Sequence, residues 1–175
     1  MNVLVTAASG GVGLYAVQLA KRAGLHVTAT CGARNVELVK SLGADEVLDY
    51  RTPEGATLQS PSGKKYDGVV HCTVGTSWST FEPVLAATGK VIDITPNLTA
   101  ILKSALHSVT FARKRLVPLL LSPNKADLEF LVGLLKDGKL ETLIDSRFPL
   151  SEVSKAWEKS IEGHATGKII VEMGD

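Results

Sequence analysis

The sequence predicts an α/β fold: a doubly wound parallel sheet with a C-terminal helix–strand return segment. Three observations carry this. Short apolar, β-branched runs alternate with helix-like stretches along the first two thirds of the chain. A glycine-rich turn, Ser9-Gly10-Gly11-Val12-Gly13, stands between the first such run and the first helix. At 175 residues, 45% hydrophobic and 21% charged, the chain is long and apolar enough to bury the core such a sheet needs.

The elements follow in order. Asn2 to Ala8 (NVLVTAA) is the first strand, and Leu14 to Arg22, free of Gly and Pro, is the first helix. His26 to Cys31 is a second strand, Asn35 to Leu42 a helix stopped by Gly43, and Glu46 to Tyr50 a third strand. Arg51 to Lys65 is polar and holds Pro53, Gly55, Pro61 and Gly63, so it is expected as a loop or a poorly formed crossover. Tyr66 to Thr73 is a fourth strand, Trp78 to Ala87 a helix ended by Gly89, and Lys90 to Ile94 a fifth strand. Leu98 to Leu106 is expected as a helix and Ser108 to Ala112 as a sixth, edge strand. Right-handed crossovers then give a doubly wound sheet with its ligand at the strand carboxyl ends.

The last third differs. Lys125 to Asp137 is an amphipathic helix with Leu128, Leu131, Leu134 and Leu135 on one side. Leu143 to Leu150 is strand-like, Ser151 is expected to cap a helix running to Gly163, and Lys168 to Met173 is a final strand. The domain division placed on this pattern is 1–142 for the nucleotide-type sheet and 143–175 for the return segment. No internal repeat and no low-complexity segment is visible.

Composition excludes several classes. A formal net charge of +1 and a pI near 7.8 argue against a nucleic-acid binder. Two cysteines, Cys31 and Cys72, lie in apolar runs without ligand spacing, which argues against a disulfide scaffold or a Cys-rich zinc module and suits a reducing compartment. The longest apolar run, Leu116 to Leu121, is interrupted by Pro118 and is far below the ~20 residues of a membrane span. No secretory-signal pattern opens the sequence.

Strand, glycine turn and helix together form the context in which a dinucleotide fingerprint is meaningful. One glycine makes the tight turn, one lets a pyrophosphate approach the backbone, and one lets helix and strand pack closely. The helix N-terminus then offers free N–H groups to the phosphates. A site for NAD(H) usually carries an acidic residue at the end of the second strand, for the ribose hydroxyls. Here that strand ends Thr30-Cys31-Gly32, which sets Cys31 and Gly32 among the candidate cofactor-binding residues, and the first acidic residue of the chain is Glu37. The charged residues before it are Lys21, Arg22 and Arg34, all basic, so a 2′-phosphate is not repelled and Arg34 can pair with it. Tyr50, on the same edge of the sheet, is a candidate to contact that phosphate or flank the adenine. NADP(H) is therefore the cofactor expected.

These residues resemble a known family. The run VTAASGGVG is similar to the nucleotide-binding signature of the medium-chain dehydrogenase/reductase superfamily, in its zinc-independent quinone oxidoreductase branch. KSLGADEVLDY, KYDGVVHCTVG, GKVIDITP and HATGKIIVEM fit the same branch in order. TCGARN and LVPLLLSP resemble its plant chloroplast-envelope members. The resemblance implies a Rossmann-type NADP-binding domain and hydride transfer to quinones or to the activated C=C bond of α,β-unsaturated carbonyls. It also implies a chloroplast location, peripheral to the inner envelope. Carried over by residue, Ser9 to Gly13 match the pyrophosphate turn and Tyr50 a tyrosine near the 2′-phosphate. Gly75 matches the loop after the fourth strand, Ile94 and Thr95 the nicotinamide side, and His164 to Lys168 the loop approaching from the far side. Many members carry a lysine where this chain has Asn35, so Arg34 is the expected substitute.

Family members run to about twice this length, two domains' worth. The resemblance implies a preceding GroES-like domain, onto which the segment from about Leu143 packs. The chain is thus expected to be a truncated half, with the strands SRFPL and KIIVEM deprived of partners. Exposed edges would then invite a homo-oligomer.

Other chemistry finds less support. The four histidines show no metal-ligand spacing, so no metal site is expected. Ser9 is not in a G-x-S-x-G elbow. A short-chain reductase would need Tyr-x-x-x-Lys, but Leu19, Glu54 and Val70 stand four places after the three tyrosines. Cys31 and Cys72 are expected as small buried hydrophobes rather than redox groups. Arg113-Lys114-Arg115 is read as a solvated surface, with a weak contact to anionic lipid headgroups as the alternative. No catalytic residue is identified. Two functions remain open: an oxidoreductase represented by its cofactor-binding part, or a module that binds NADP(H) without turnover.

Overall fold

The computed structural model describes residues 1–174, so the last residue of the 143–175 segment lies outside it. Six parallel strands form the main sheet in the order β3-β2-β1-β4-β5-β6, comprising β1 (Asn2–Val5), β2 (His26–Cys31), β3 (Glu46–Asp49), β4 (Tyr66–His71), β5 (Leu85–Asp93) and β6 (Arg115–Pro118). The order reverses at the β1/β4 junction, which is where an open α/β sheet leaves a crevice.

Successive residues of β1 point to opposite faces, and each face builds a core. Val3 and Val5 join Val27, Ala29, Val17 and Leu14 on the side covered by α1 (Gly13–Arg22) and α2 (Val36–Ser41). Leu4 joins Val69, Val91, Phe81, Val84 and Leu116 on the other side, covered by α4 (Trp78–Phe81) and α5 (Leu98–Val109). A single helical turn, α3 (Pro53–Ala56), lies in the polar connection, its start capped by the Thr52 hydroxyl accepting from Gly55 N–H. Asn97 caps α5 and Asn124 caps α6 (Lys125–Lys136), each side chain accepting a first-turn N–H.

The expected doubly wound sheet is present, with several local differences. β1 ends at Val5, because Thr6 to Ser9 turn away with Ala7 at φ 49°. The helix expected over Trp78–Ala87 closes at Phe81, and a 3₁₀ turn at Glu82–Val84 leads into β5 five residues early. Leu85 is pulled into the second core opposite Tyr66, with a register shift before Gly68. The edge strand expected over Ser108–Ala112 lies instead at Arg115–Pro118. Helix α5 continues to Val109, and Leu116 is the side chain that packs beside Val91 in the second core. Pro118 ends that edge strand, a place where a missing N–H is tolerated.

The return segment forms a separate two-stranded parallel sheet, β7 (Ile144–Pro149) with β8 (Lys168–Glu172), backed by α7 (Val153–Ile161). The strands expected to lack partners therefore pair with each other. Ser151 does not cap α7; it sits in a 3₁₀ turn, and Glu152 occupies the cap position without a side-chain bond. Of the four leucines aligned on α6, only Leu134 is buried.

Candidate cofactor site

A cleft of about 890 Å³ opens at the carboxyl ends of β1, β2 and β4, at the switch point of strand order. Its volume suits a large organic ligand. Ser9, Gly10, Cys31, Gly32, Arg34, Tyr50 and Gly75, all singled out from sequence, line it. A second lobe of about 390 Å³ shares the Thr73–Ser77 wall and extends between α4 and α5 over His71 and Asp93, with Thr95 on its edge. Gly11, Val12, Gly13 and Ile94 line neither lobe.

The glycine turn is built by close backbone approach. Gly10 N–H donates to the Ala7 carbonyl at 2.9 Å, and Ala7 N–H donates to the Thr30 hydroxyl at 3.2 Å. A Cβ on Gly13 would stand 2.2 Å from the Ala7 carbonyl oxygen, so only glycine lets α1 start this close to β1. Gly11 N–H faces the Gly167 carbonyl across the Gly10–Gly167 bridge, whereas among the described residues no acceptor is found for the Val12 N–H. The Val12 N–H at the head of a ten-residue helix, beside a cleft of this size lined by Ser9 and Gly10, fits the diphosphate of a dinucleotide.

At the far end of the cleft, Arg34 lies in a 3₁₀ turn, Ala33–Asn35, between β2 and α2. Its guanidinium donates to the His164 carbonyl. Tyr50 is half-exposed, with the Arg51 guanidinium 5.7 Å from its ring centre and its hydroxyl facing Gly32. Among the described residues no carboxylate lines this cleft. Gly163, His164 and Ala165 close it from the return segment, which docks through Gly167 N–H donating to the Ser9 carbonyl at 2.9 Å. Gly167 has φ +89°, and a Cβ there would meet the Leu143 carbonyl at 2.3 Å.

In the second lobe His71 is buried against Phe81, its Nδ1 2.9 Å from the Thr6 hydroxyl. That hydroxyl also accepts from Cys72 N–H at 2.9 Å. Burial lowers the His71 pKa, against the opposing pull of Asp93, which keeps the ring neutral. Burial, with the Asp49 charge second, pushes the Cys31 thiol up to about 11. Burial alone lifts Cys72 to about 11. Neither is a ready thiolate at neutral pH.

Several lining residues were given no role from the sequence. Thr76, Ser77 and Thr80 lie in none of the quoted motifs, while Thr6 (in VTAASGGVG) and Thr30 and Ala33 (in TCGARN) lie in quoted motifs without an assigned role. Ala7 adopts a left-handed conformation that composition does not announce. For these residues strand-end position was the available signal.

The profile of a family described as zinc-binding dehydrogenase matches residues 42–171. Over 171 residues the chain is 67% identical to a chloroplast envelope quinone oxidoreductase homolog of Arabidopsis thaliana. It is 63% identical to a chloroplastic quinone-oxidoreductase homolog of Spinacia oleracea. Each alignment covers 98% of this chain and 52% of the relative. A solved quinone oxidoreductase structure from Coxiella burnetii superposes with a TM-score of 0.86 at 30% identity, over 99% of this chain and 53% of that one. The chain thus spans about half the length of the relatives it matches. Despite the family's description, no group of three or more His, Cys, Asp or Glu side chains able to hold a metal gathers among the described residues, and no zinc chemistry is assigned to them. With well over half of its residues inside the matching profile, the chain belongs to the zinc-binding dehydrogenase family of the medium-chain dehydrogenase/reductase superfamily.

Proposed function

We propose that the chain is the cofactor-binding part of an NADPH-dependent oxidoreductase acting on quinones or α,β-unsaturated carbonyls. One observation carries the cofactor preference: the cleft holds Arg34 and Tyr50 at the ends of β2 and β3 and, among the described residues, no carboxylate. The names of the relatives support quinones as substrates and a chloroplast location. Bound NADPH supplies the hydride. The Ser9–Gly10 turn and the head of α1 receive the diphosphate, Arg34 the 2′-phosphate, and the Gly163–Ala165 loop covers the adenosine end. Gly75, Thr95 and the neutral His71 bound the nicotinamide lobe. Peripheral membrane contact and a homo-oligomer belong to the same reading; no helix among the described residues is long and apolar enough to cross a bilayer.

Calorimetric titration tests the proposal. NADPH is expected to bind at least about tenfold more tightly than NADH, the worth of one charge-assisted phosphate contact. Arg34→Ala should bring the two within about twofold. Equal affinities in the native chain overturn the NADP(H) preference. A second reading is a module that binds NADP(H) without turnover. Oxidation of NADPH by an added quinone or enone separates the two.

A further inference from the structure

Arg34 is solvent-facing, and a free arginine loses much side-chain entropy when it grips a phosphate. Here it is held. Its guanidinium gives one donor to the His164 carbonyl, leaving the rest of the five-donor fork for another acceptor. The loop carrying that carbonyl is clamped two residues further on, from both sides. Towards the cleft, the Asn35 side-chain amide meets the Thr166 hydroxyl, with Nδ2 to Oγ1 at 3.1 Å and Oγ1 to Oδ1 at 3.3 Å. From behind, Thr166 N–H donates to Asp145 Oδ1 at 2.8 Å, and Lys159 of α7 stands 2.6 Å from the other carboxylate oxygen. Lys159 and the Thr166 N–H outweigh burial and hold the Asp145 carboxyl below its ordinary range, so the clamp stays charged at neutral pH.

We infer that Thr166 and Asp145 are positioning residues for recognition of the cofactor's 2′-phosphate: they line no part of the cleft, yet through the His164 carbonyl they set where Arg34 holds its guanidinium. The inference rests on the NADP(H) reading above. Its chemistry is specific. A phosphate takes two parallel N–H bonds only from a correctly turned guanidinium plane, whereas the ribose hydroxyls of NADH make no such demand. Loosening the clamp therefore costs NADPH and spares NADH.

The test measures dissociation constants of the 175-residue chain for NADPH and NADH by calorimetry. The variants are Thr166→Val, Thr166→Ser, Asp145→Asn, Arg34→Ala and the Thr166→Val/Arg34→Ala pair. Thr166→Val keeps the shape and the N–H bond to Asp145 but removes the hydroxyl. It should weaken NADPH about fivefold, the worth of a neutral hydrogen bond, with NADH changed less than about twofold. Thr166→Ser should restore the native ratio, and Asp145→Asn should lower it. In the double variant the ratio should fall no further than with Arg34→Ala alone, since both act through one group. An unchanged ratio in Thr166→Val, while Arg34→Ala collapses it, overturns the inference and leaves the NADP(H) reading standing. Equal weakening of both cofactors assigns Thr166 a packing role and also overturns it. If Arg34→Ala leaves the ratio intact, or the native chain binds neither cofactor, the underlying reading fails and the inference falls with it.

Discussion

A single absent methyl group sets the distance between β1 and α1. A Cβ at Gly13 would lie 2.2 Å from the Ala7 carbonyl oxygen and 2.8 Å from the Ala8 Cα, both backbone atoms that cannot swing aside. Gly13→Ala should therefore destabilise the chain by about 3 kcal/mol or more, the upper range of overpacking, in urea unfolding. Gly133, in the middle of α6, has nothing within 4 Å of its would-be Cβ, so Gly133→Ala should stabilise by up to ~1 kcal/mol through helix propensity. Equal effects at the two sites would contradict the packing account. Gly13 was legible because glycine spacing between a strand and a helix has a stated mechanical reason. Ala7 was not: its positive φ is imposed by bonds to Thr30 and Gly10 that only the folded sheet brings together.

One carboxylate organises the connection between β3 and β4. Composition marked Arg51–Lys65 as a loop, and so it is apart from α3, but it is pinned to the sheet. Glu46 Oε2 accepts from the Thr28 hydroxyl at 2.8 Å and the Ser60 hydroxyl at 2.5 Å, and Oε1 accepts from Ser62 N–H at 3.2 Å. Burial raises the pKa of this carboxyl, but hydrogen bonds from Ser60, Ser62, Thr28 and His26 outweigh it and hold the value at about 2. A depressed native pKa contributes stability above the unfolded value near 4.5, and that stability is lost as pH falls through about 2. Native stability should decline between those limits. Glu46→Gln should cost roughly 1–3 kcal/mol at pH 7 and flatten that part of the profile. A variant whose acid profile still matches the native one would locate the sensitivity elsewhere. Elements at the sheet margin were hardest to read for a related reason. Ser108, Val109 and Thr110 have strand-like chemistry, yet the Asn97 cap starts a helix that runs through Val109, and the buried position opposite Val91 selects Leu116 as the edge strand's anchor.

At the scale of the molecule, the two sheets differ in how deeply they are buried. Strands β1, β4 and β5 are covered on both faces, with Leu4, Val5, Val69 and Val91 fully buried. The β7–β8 pair has α7 on one side only, and each of its residues is half-buried or exposed. Several bonds hold it to the main sheet. The bridge between Gly10 and Gly167 and the contacts of Arg34 with His164 and of Asn35 with Thr166 fix the loop before β8. Ahead of β7, the Gln18 amide of α1 bonds both backbone groups of Glu141, Nε2 to O at 3.0 Å and N to Oε1 at 2.7 Å. Local opening free energy follows buried apolar contact, so the return segment should open without the rest. In native-state hydrogen exchange, β7 and β8 amides should exchange at least about 100-fold faster than those of β1 and β4, a gap of ~2.7 kcal/mol. Gln18→Ala should widen that gap by speeding β7 and β8 while leaving β4 at the global limit. NADPH should slow exchange at His164–Gly167 more than anywhere else in the segment, because that loop alone joins the cleft wall to β8. Matching protection across both sheets would mean that the Gly10–Gly167 bridge and the Gln18 bonds already weld them into one cooperative unit. The cleft would then be preformed down to its Arg34 end rather than closed by its return segment.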